Sequence, residues 1–132
     1  MKSNNERGYL TRRDGKKNMI THITTKEKWE QAKVKGYYDH ESIEEEGFIH
    51  CSSIEQVVKV ANNIYKGESE LLLLLIQESI VKPKVIWEDL YDLNELYPHI
   101  YGVLNIEAVM RTYEFNLMED GSFQLPLDLQ GK

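Results

Sequence analysis

The spacing of apolar residues changes between strand-like and helix-like several times along the chain. Residues 19–22 predict a first strand, and a capping box formed by Thr24 and Glu27 predicts a helix after it that ends at Gly36. Six consecutive apolar residues, 71–76, predict a central strand that is buried on both faces. The first half of the chain therefore predicts helices packed against a sheet.

The second half of the chain consists mainly of strand patterns. Residues 85–87 predict a strand that delivers Glu88 at its end, and residues 91–98 predict an aromatic and acidic loop at the rim of a site. Residues 108–117 predict a long strand. The side chains expected on one face of that strand are Val109, Arg111, Tyr113, Phe115 and Leu117. The order of elements predicts one α+β domain, residues 19–132, with a mixed sheet and two main helices.

Ten residues, 46–55, combine a short strand, a histidine and a helix start. Ser52 followed by Glu55 forms a second capping box, which predicts that a helix begins there. His50 is therefore predicted to lie where a strand ends and a helix begins. Because the first N–H groups of a helix have no partner within it, we expect a phosphate, a carboxylate or a ribose hydroxyl to be held near Ser52 and Ser53.

Two segments share the pattern His-x-[Ser/Thr]-[Ser/Thr]-x-Glu, and a third histidine is also followed by a hydroxyl group two positions later. The pairs are His22 with Thr24, His50 with Ser52, and His99 with Tyr101. Residues two apart on a strand share a face, so each pair presents an imidazole and a hydroxyl together. We expect the three pairs to converge on one cleft. The alternative is that each histidine is a junction residue hydrogen-bonded by the backbone.

Five blocks of sequence, spread in order over about residues 19–113, resemble the bacterial Domain of Unknown Function 952 family. They are residues 20–24 with Trp29, residues 46–52, residues 60–62 with Tyr65 and Gly67, Trp87 with Glu88, and residues 97–102. The family's fold resembles that of the ADP-ribosyltransferase superfamily, whose members bind NAD in a cleft of a split mixed sheet. The resemblance therefore implies a split sheet and an ADP-ribosylation-like fold here.

The same resemblance implies that the cleft holds NAD or another ADP-ribose-bearing nucleotide. His99 would transfer protons, because imidazole titrates near neutral pH, with His50 beside it and Glu88 as the electrostatic stabiliser. The residues that bind the ligand would be His22, Thr24, Ser52, Ser53, Tyr97 and Tyr101. The chain would then be an ADP-ribosyl- or phosphotransferase-like enzyme. The alternative is a module that senses a nucleotide or other small molecule without turnover.

Charged side chains are distributed unevenly along the chain. Residues 1–18 hold six basic and two acidic side chains without apolar periodicity, which predicts a flexible basic extension. The alternative is a basic arm that binds a polyanion. Since the whole chain carries a formal charge of −6, the remainder carries −10. Such acidity disfavours nucleic acid as a partner. We expect a small-molecule nucleotide ligand, and a monomer or weak homo-oligomer.

The single cysteine, Cys51, excludes an intrachain disulfide and any multi-cysteine zinc pattern. It neighbours His50 on a strand and so points to the opposite face, which predicts a core residue rather than a nucleophile. A zinc site built from His22, His50 and His99 is an alternative, but their spacing fits no local ligand motif, and we expect no metal. Without a secretory signal or an apolar run of ~20 residues, the expected location is the cytoplasm and no membrane partner is expected.

Overall fold

The computed structural model describes residues 18–130. The strands are β1 (Met19–Thr25), β2 (Tyr37–Tyr38), β3 (Ile49–His50), β4 (Ser52–Ser53), β5 (Leu71–Gln77), β6 (Lys84–Glu88), β7 (Tyr97–Tyr101), β8 (Leu104–Asn105) and β9 (Val109–Glu114). The helices are α1 (Lys26–Lys35), α2 (Ser42–Glu46) and α3 (Val57–Ile64). The predicted N-terminal extension, apart from Asn18, lies outside the described residues.

The strands form three separate sheets. The largest has the order β9-β5-β1-β4, a second has the order β3-β7-β6, and β2 pairs with β8. Every pairing between these strands is antiparallel, so the predicted mixed sheet is wrong for the part of the chain that the structure describes. The order of helices and strands does not specify strand direction, which depends on how the connections return the chain. The protein is a single α+β domain with several antiparallel sheets.

Helix α1 ends as predicted but begins one residue later than the capping box indicated. The hydroxyl of Thr25 accepts a hydrogen bond from the Lys28 N–H at 3.1 Å, and Gly36 closes the helix with a left-handed backbone, φ 93°. Thr24 stays in strand β1, where it pairs with Leu72. Strand pairing therefore moves the cap to the second hydroxyl of the Thr-Thr pair.

The helix predicted to begin at Ser52 also begins later, and here the prediction was wrong. Ser52 is buried and pairs with Thr21 of β1. The capping pair is formed one residue on: the Ser53 N–H donates to Gln56 Oε1 at 2.9 Å, and the Gln56 N–H donates to Ser53 Oγ at 3.1 Å. Helix α3 starts only at Val57. The predicted phosphate site at a Ser52 helix start therefore has no helix terminus to supply it.

Strand β5 lies inside the largest sheet with all its apolar residues buried, as predicted. The even-numbered residues of 71–76 pack into one core cluster and the odd-numbered residues into another. Trp29 and Cys51 both belong to the first cluster, which for Cys51 confirms the predicted core position. Two faces of one sheet thus carry two cores, which we call the first and second cluster.

The strand predicted over residues 108–117 is shorter, Val109–Glu114, and the predicted side chains do not share one face. Val109 packs against the first cluster, whereas Phe115 belongs to the second cluster and Tyr113 and Leu117 pack against it. The register against β5 shifts between Val109 and Arg111, so a bulge reverses the alternation there. No helix within residues 18–130 is long and apolar enough to cross a membrane.

Candidate functional site

The sheet β3-β7-β6 has one apolar face and one face that carries most of the predicted chemistry. Ile49, Ile100 and Val85 pack into the first cluster. Adjacent residues of a strand point to the opposite face, and there β3 places His50 directly beside His99 of β7. The fold therefore turns two of the predicted histidines toward one surface, which we call the histidine face.

One carboxylate oxygen of Glu88, the last residue of β6, is hydrogen-bonded to two predicted site residues of β7. His99 Nδ1 lies 2.8 Å from Glu88 Oε2, and the Tyr101 hydroxyl donates to the same oxygen. Because an ionised carboxylate only accepts, the proton of a neutral His99 ring lies on Nδ1. Its Nε2 has no hydrogen-bond partner among residues 18–130.

Glu46 repeats this arrangement around the other histidine. It is the last residue of α2, and the left-handed Gly47, φ 96°, turns the chain back toward β3. His50 Nε2 lies 3.1 Å from Glu46 Oε1, and the hydroxyl of Tyr91 donates to that oxygen at 2.7 Å. A neutral His50 ring therefore carries its proton on Nε2 and presents Nδ1. Each imidazole is oriented by one glutamate that also binds one tyrosine.

The two imidazoles lie close together but differ in exposure. Their ring centres are 5.6 Å apart and their planes are nearly perpendicular. Phe48 stacks on His99 at 4.0 Å and covers one side of the ring. His99 is only 2% exposed, whereas 42% of the His50 side chain is exposed. Solvent reaches His50 directly, and His99 lies behind it.

The carboxylates on this face are ionised at neutral pH. Hydrogen bonds from its tyrosine and its histidine lower the pKa of Glu88, and the same two kinds of contact lower the pKa of Glu46. The bond to Glu88 raises the pKa of Tyr101, while burial and Glu46 raise the pKa of Tyr91 to about 12. The face therefore combines two negative charges with neutral phenols.

His22 approaches the same region from beneath. Its Nδ1 lies 2.6 Å from the backbone oxygen of His50, and its Nε2 lies 2.9 Å from the hydroxyl of Tyr38. That hydroxyl is also 2.8 Å from Thr24 Oγ1. Burial lowers the pKa of His22 to about 3, so the ring is neutral. Of the three imidazoles predicted to converge on one cleft, His50 and His99 lie side by side, whereas His22 contacts the His50 backbone and has both nitrogens engaged within the protein.

The remaining predicted site residues do not all lie on the histidine face. Tyr97 lies on β7 opposite Glu88, and its hydroxyl donates to Glu95 at 3.3 Å. Ser52 is buried, and its backbone oxygen accepts from the Thr21 hydroxyl. The chain passes from β3 to β4 between His50 and Ser52, so this predicted pair does not share a strand. Their roles in ligand binding stay predictions.

Five side chains of this region were not predicted as site residues: Glu46, Tyr91, Phe48, Tyr38 and His40. Glu46 belongs to an acidic run that is typical of a solvated surface, and only its spacing of four from His50 signals a contact. Tyr91 lies in the predicted rim loop, but nothing local distinguishes it from the other residues of that loop. Burial lowers the pKa of His40, whose ring lies 5.5 Å from that of His22.

Residues 18–130 contain no group of three or more side chains that could together hold a metal ion. A separate open depression of about 460 Å³ lies at the β2-β8 ribbon and contains none of the predicted residues. It is lined by Gly36, Tyr37, Lys82, Pro83, Val103, Asn105 and Glu107. The predicted chemistry is therefore concentrated on the histidine face rather than in this depression.

Residues 23–112 match the family described as Protein of unknown function (DUF952). The chain belongs to this family. The match includes His40, His50 and His99 and both glutamates of the histidine face, and it begins one residue after His22. No curated protein matches the chain.

Solved structures with the same fold come from Caulobacter crescentus. The crystal structure of protein CC0527 is 28% identical, covers 84% of this chain and 97% of its own, and has a TM-score of 0.76. The solution NMR structure of CC0527 gives a TM-score of 0.73 at the same identity, with 82% and 93% of the two chains covered. This DUF952 chain therefore shares its architecture with CC0527 over nearly the whole of that protein.

Proposed function

We propose that this DUF952 protein binds a nucleotide of the NAD or ADP-ribose type at the histidine face, as an ADP-ribosyltransferase-like fold would. The observation that carries the proposal is a pair of ionised glutamates, each hydrogen-bonded to a phenol and to one of two histidines that are paired on adjacent strands. Such a face can bind ribose hydroxyls through carboxylate oxygens and place an imidazole beside them. The expected compartment remains the cytoplasm.

The negative charge of the histidine face favours NAD⁺, which has a cationic ring, over NADH, whose ring is neutral, and over ADP-ribose, which has no nicotinamide ring. Glu46 and Glu88 are negative, and Tyr91 and Tyr101 supply aromatic surface. A flat cationic ring gains from both, through charge attraction and contact with aromatic faces. The nicotinamide ring of NAD⁺ is such a cation. We therefore place that ring, rather than the phosphates, at the histidine face.

If the protein turns NAD⁺ over, the carboxylates suit cleavage of the bond between ribose and nicotinamide. The bonding electron pair leaves with nicotinamide, and the ribose carbon becomes oxocarbenium-like, with positive charge that Glu88 stabilises. Water or another acceptor then bonds to that carbon and gives up a proton. In this proposal His50, the exposed imidazole, accepts the proton. His99 acts through Glu88, whose carboxylate it orients.

Binding without turnover is the second candidate, and one observation favours it. His99 is almost fully buried beneath Phe48, so a ligand meets one imidazole rather than two. A sensing module needs the cationic ring to bind but no proton transfer. Incubation of the pure protein with NAD⁺ separates the candidates, because only the enzyme releases nicotinamide.

Titration calorimetry with NAD⁺, NADH and ADP-ribose tests the proposal. We expect NAD⁺ to bind about tenfold more tightly than NADH, whose ring is neutral, and Glu88→Gln to remove that preference. The matched control is Glu107→Gln, which deletes one exposed carboxylate that pairs with Lys82 away from the histidine face. No heat and no thermal shift with any of the three nucleotides would refute nucleotide binding. Equal affinities for NAD⁺ and NADH would refute the placement of the ring.

A further inference from the structure

The backbone that carries His50 crosses between two sheets. Residues 49–50 pair with β7, whereas residues 52–53 pair with β1 of the largest sheet. Between them, the Cys51 N–H still donates to the Pro98 carbonyl oxygen at 3.1 Å. His50 is therefore the last β3 residue before the crossing, and its own carbonyl group faces the junction of the sheets.

His22 spans that junction. It belongs to β1, where it pairs with Leu74 of β5, yet its Nδ1 lies 2.6 Å from the carbonyl oxygen of His50. Its Nε2 reaches the hydroxyl of Tyr38, which belongs to the β2-β8 ribbon. The imidazole is 4% exposed. One buried ring thus joins strands from all three sheets directly beneath His50.

When the His22 ring is neutral, only one placement of the protons gives every hydrogen bond of this network a donor and an acceptor. A carbonyl oxygen only accepts, so Nδ1 of His22 must carry the proton and donate it to the His50 carbonyl group. Nε2 is then an acceptor and takes a hydrogen bond from the Tyr38 hydroxyl. The hydroxyl oxygens of Tyr38 and Thr24 are 2.8 Å apart, and Thr24 completes the chain by donating to Tyr38. This arrangement defines the tautomer of His22.

We infer that His22 is a positioning residue: its Nδ1–H fixes the backbone of His50 and thereby the imidazole that this face presents to a ligand. The predicted role of His22 as a direct ligand contact is replaced in this inference by one exerted through His50. The side chain of Thr24 supports the tautomer rather than the ligand. The ligand-binding arm of the test below rests on the function proposed above, whereas its spectroscopic arm does not.

Two isosteric variants separate positioning from general support of the core. His22→Asn places an amide N–H near the position of Nδ1 and keeps the donor to the His50 carbonyl group, but loses the contact with Tyr38. His22→Gln reaches the position of Nε2 and keeps the Tyr38 contact, but loses the donor to His50. Both variants remove the imidazole and leave a buried amide, so each serves as the control for the other.

The readouts are the ring resonances of His50 in NMR spectra and the Kd for NAD⁺. We expect His22→Asn to retain the His50 resonances and bind NAD⁺ within about twofold of wild type, and His22→Gln to shift those resonances and weaken binding about tenfold. Unfolding by urea is measured in parallel, so that a variant that does not fold is recognised. If His22→Asn does not fold, Tyr38→Phe replaces it, since it keeps the Nδ1–H and should leave the His50 resonances in place. If His22→Gln does not fold, His22→Leu replaces it, since it fills the space without a donor and should shift those resonances.

Two outcomes would overturn the inference. If both amide variants shift the His50 resonances equally, or if His22→Gln leaves them unchanged, the Nδ1–H does not position His50. If wild type binds no NAD⁺, the proposed function fails, but the His50 resonances still decide whether His22 positions that residue.

Discussion

His50 and His99 occupy directly paired positions on β3 and β7, with ring centres 5.6 Å apart. Antiparallel pairing brings the side chains of paired residues to the same face, so two histidines that are distant in sequence become neighbours. Each ring donates to a different glutamate, Glu46 or Glu88, and only the ring of His50 is exposed enough to meet a ligand.

The first prediction concerns His99, which we expect to act by orienting Glu88. His99→Asn keeps an N–H near the position of Nδ1 and should retain NAD⁺ binding, whereas His99→Gln loses that donor and should weaken binding about tenfold. Calorimetry measures both. For an enzyme that cleaves NAD⁺, losses of about 10²-fold in turnover by both variants would instead make His99 a proton-transfer group.

The second prediction concerns the hydrogen bond from Tyr101 to Glu88. This bond is the largest cause of the lowered pKa of Glu88, so Tyr101→Phe should raise that pKa toward the value of an ordinary glutamate. Carboxyl-carbon NMR titration measures the change. Tyr113→Phe is the control, since Tyr113 packs against the second cluster away from Glu88. An unchanged titration of Glu88 in Tyr101→Phe would show that the phenol does not bind the carboxylate in solution.

The third prediction concerns stability between pH 6.5 and pH 5. His22 has a pKa lowered to about 3 in the folded protein, so over this range the unfolded chain binds a proton that the folded chain excludes. The free energy of unfolding should therefore fall with falling pH, by about 2 kcal/mol from this residue.

Urea titrations at several pH values, compared between wild type and His22→Asn, isolate the contribution of His22. Asparagine does not titrate, so the variant should show a flatter dependence on pH. His40, whose pKa burial also lowers, contributes in the same direction to both proteins and cancels in the comparison. Identical slopes for the two proteins would mean that His22 is protonated at the same pH whether the chain is folded or unfolded.

The fourth prediction concerns the basic N-terminal segment. A chain shortened to begin at Asn18 keeps the carbonyl group that accepts from the Glu78 N–H at 2.8 Å. We expect its melting temperature to lie within a few degrees of that of the full chain, because the removed residues lack the apolar periodicity of a packed element. A loss of more than a few degrees, about 1 kcal/mol for a domain of this size, would show that the segment docks on the domain.

Local patterns predicted those elements whose physical cause is local. The apolar run 71–76 must be covered on both faces, and it forms a strand inside the largest sheet. Gly36 ends α1 because only a left-handed backbone closes the helix there. In contrast, both helices begin one or more residues later than predicted, because pairing with neighbouring strands keeps Thr24 and Ser52 extended.

The sequence by itself determined that this is one α+β domain of the DUF952 type and that His22, His50 and His99 are its candidate functional residues. Spacing along a strand also placed His99 and Tyr101 on one face, where both contact Glu88. Tertiary structure alone decided that Glu46 and Tyr91 complete the site and that His22 lies beneath it. The reason is that a turn at Gly47, a loop return and a crossing between sheets bring these groups together, and no local periodicity records such contacts.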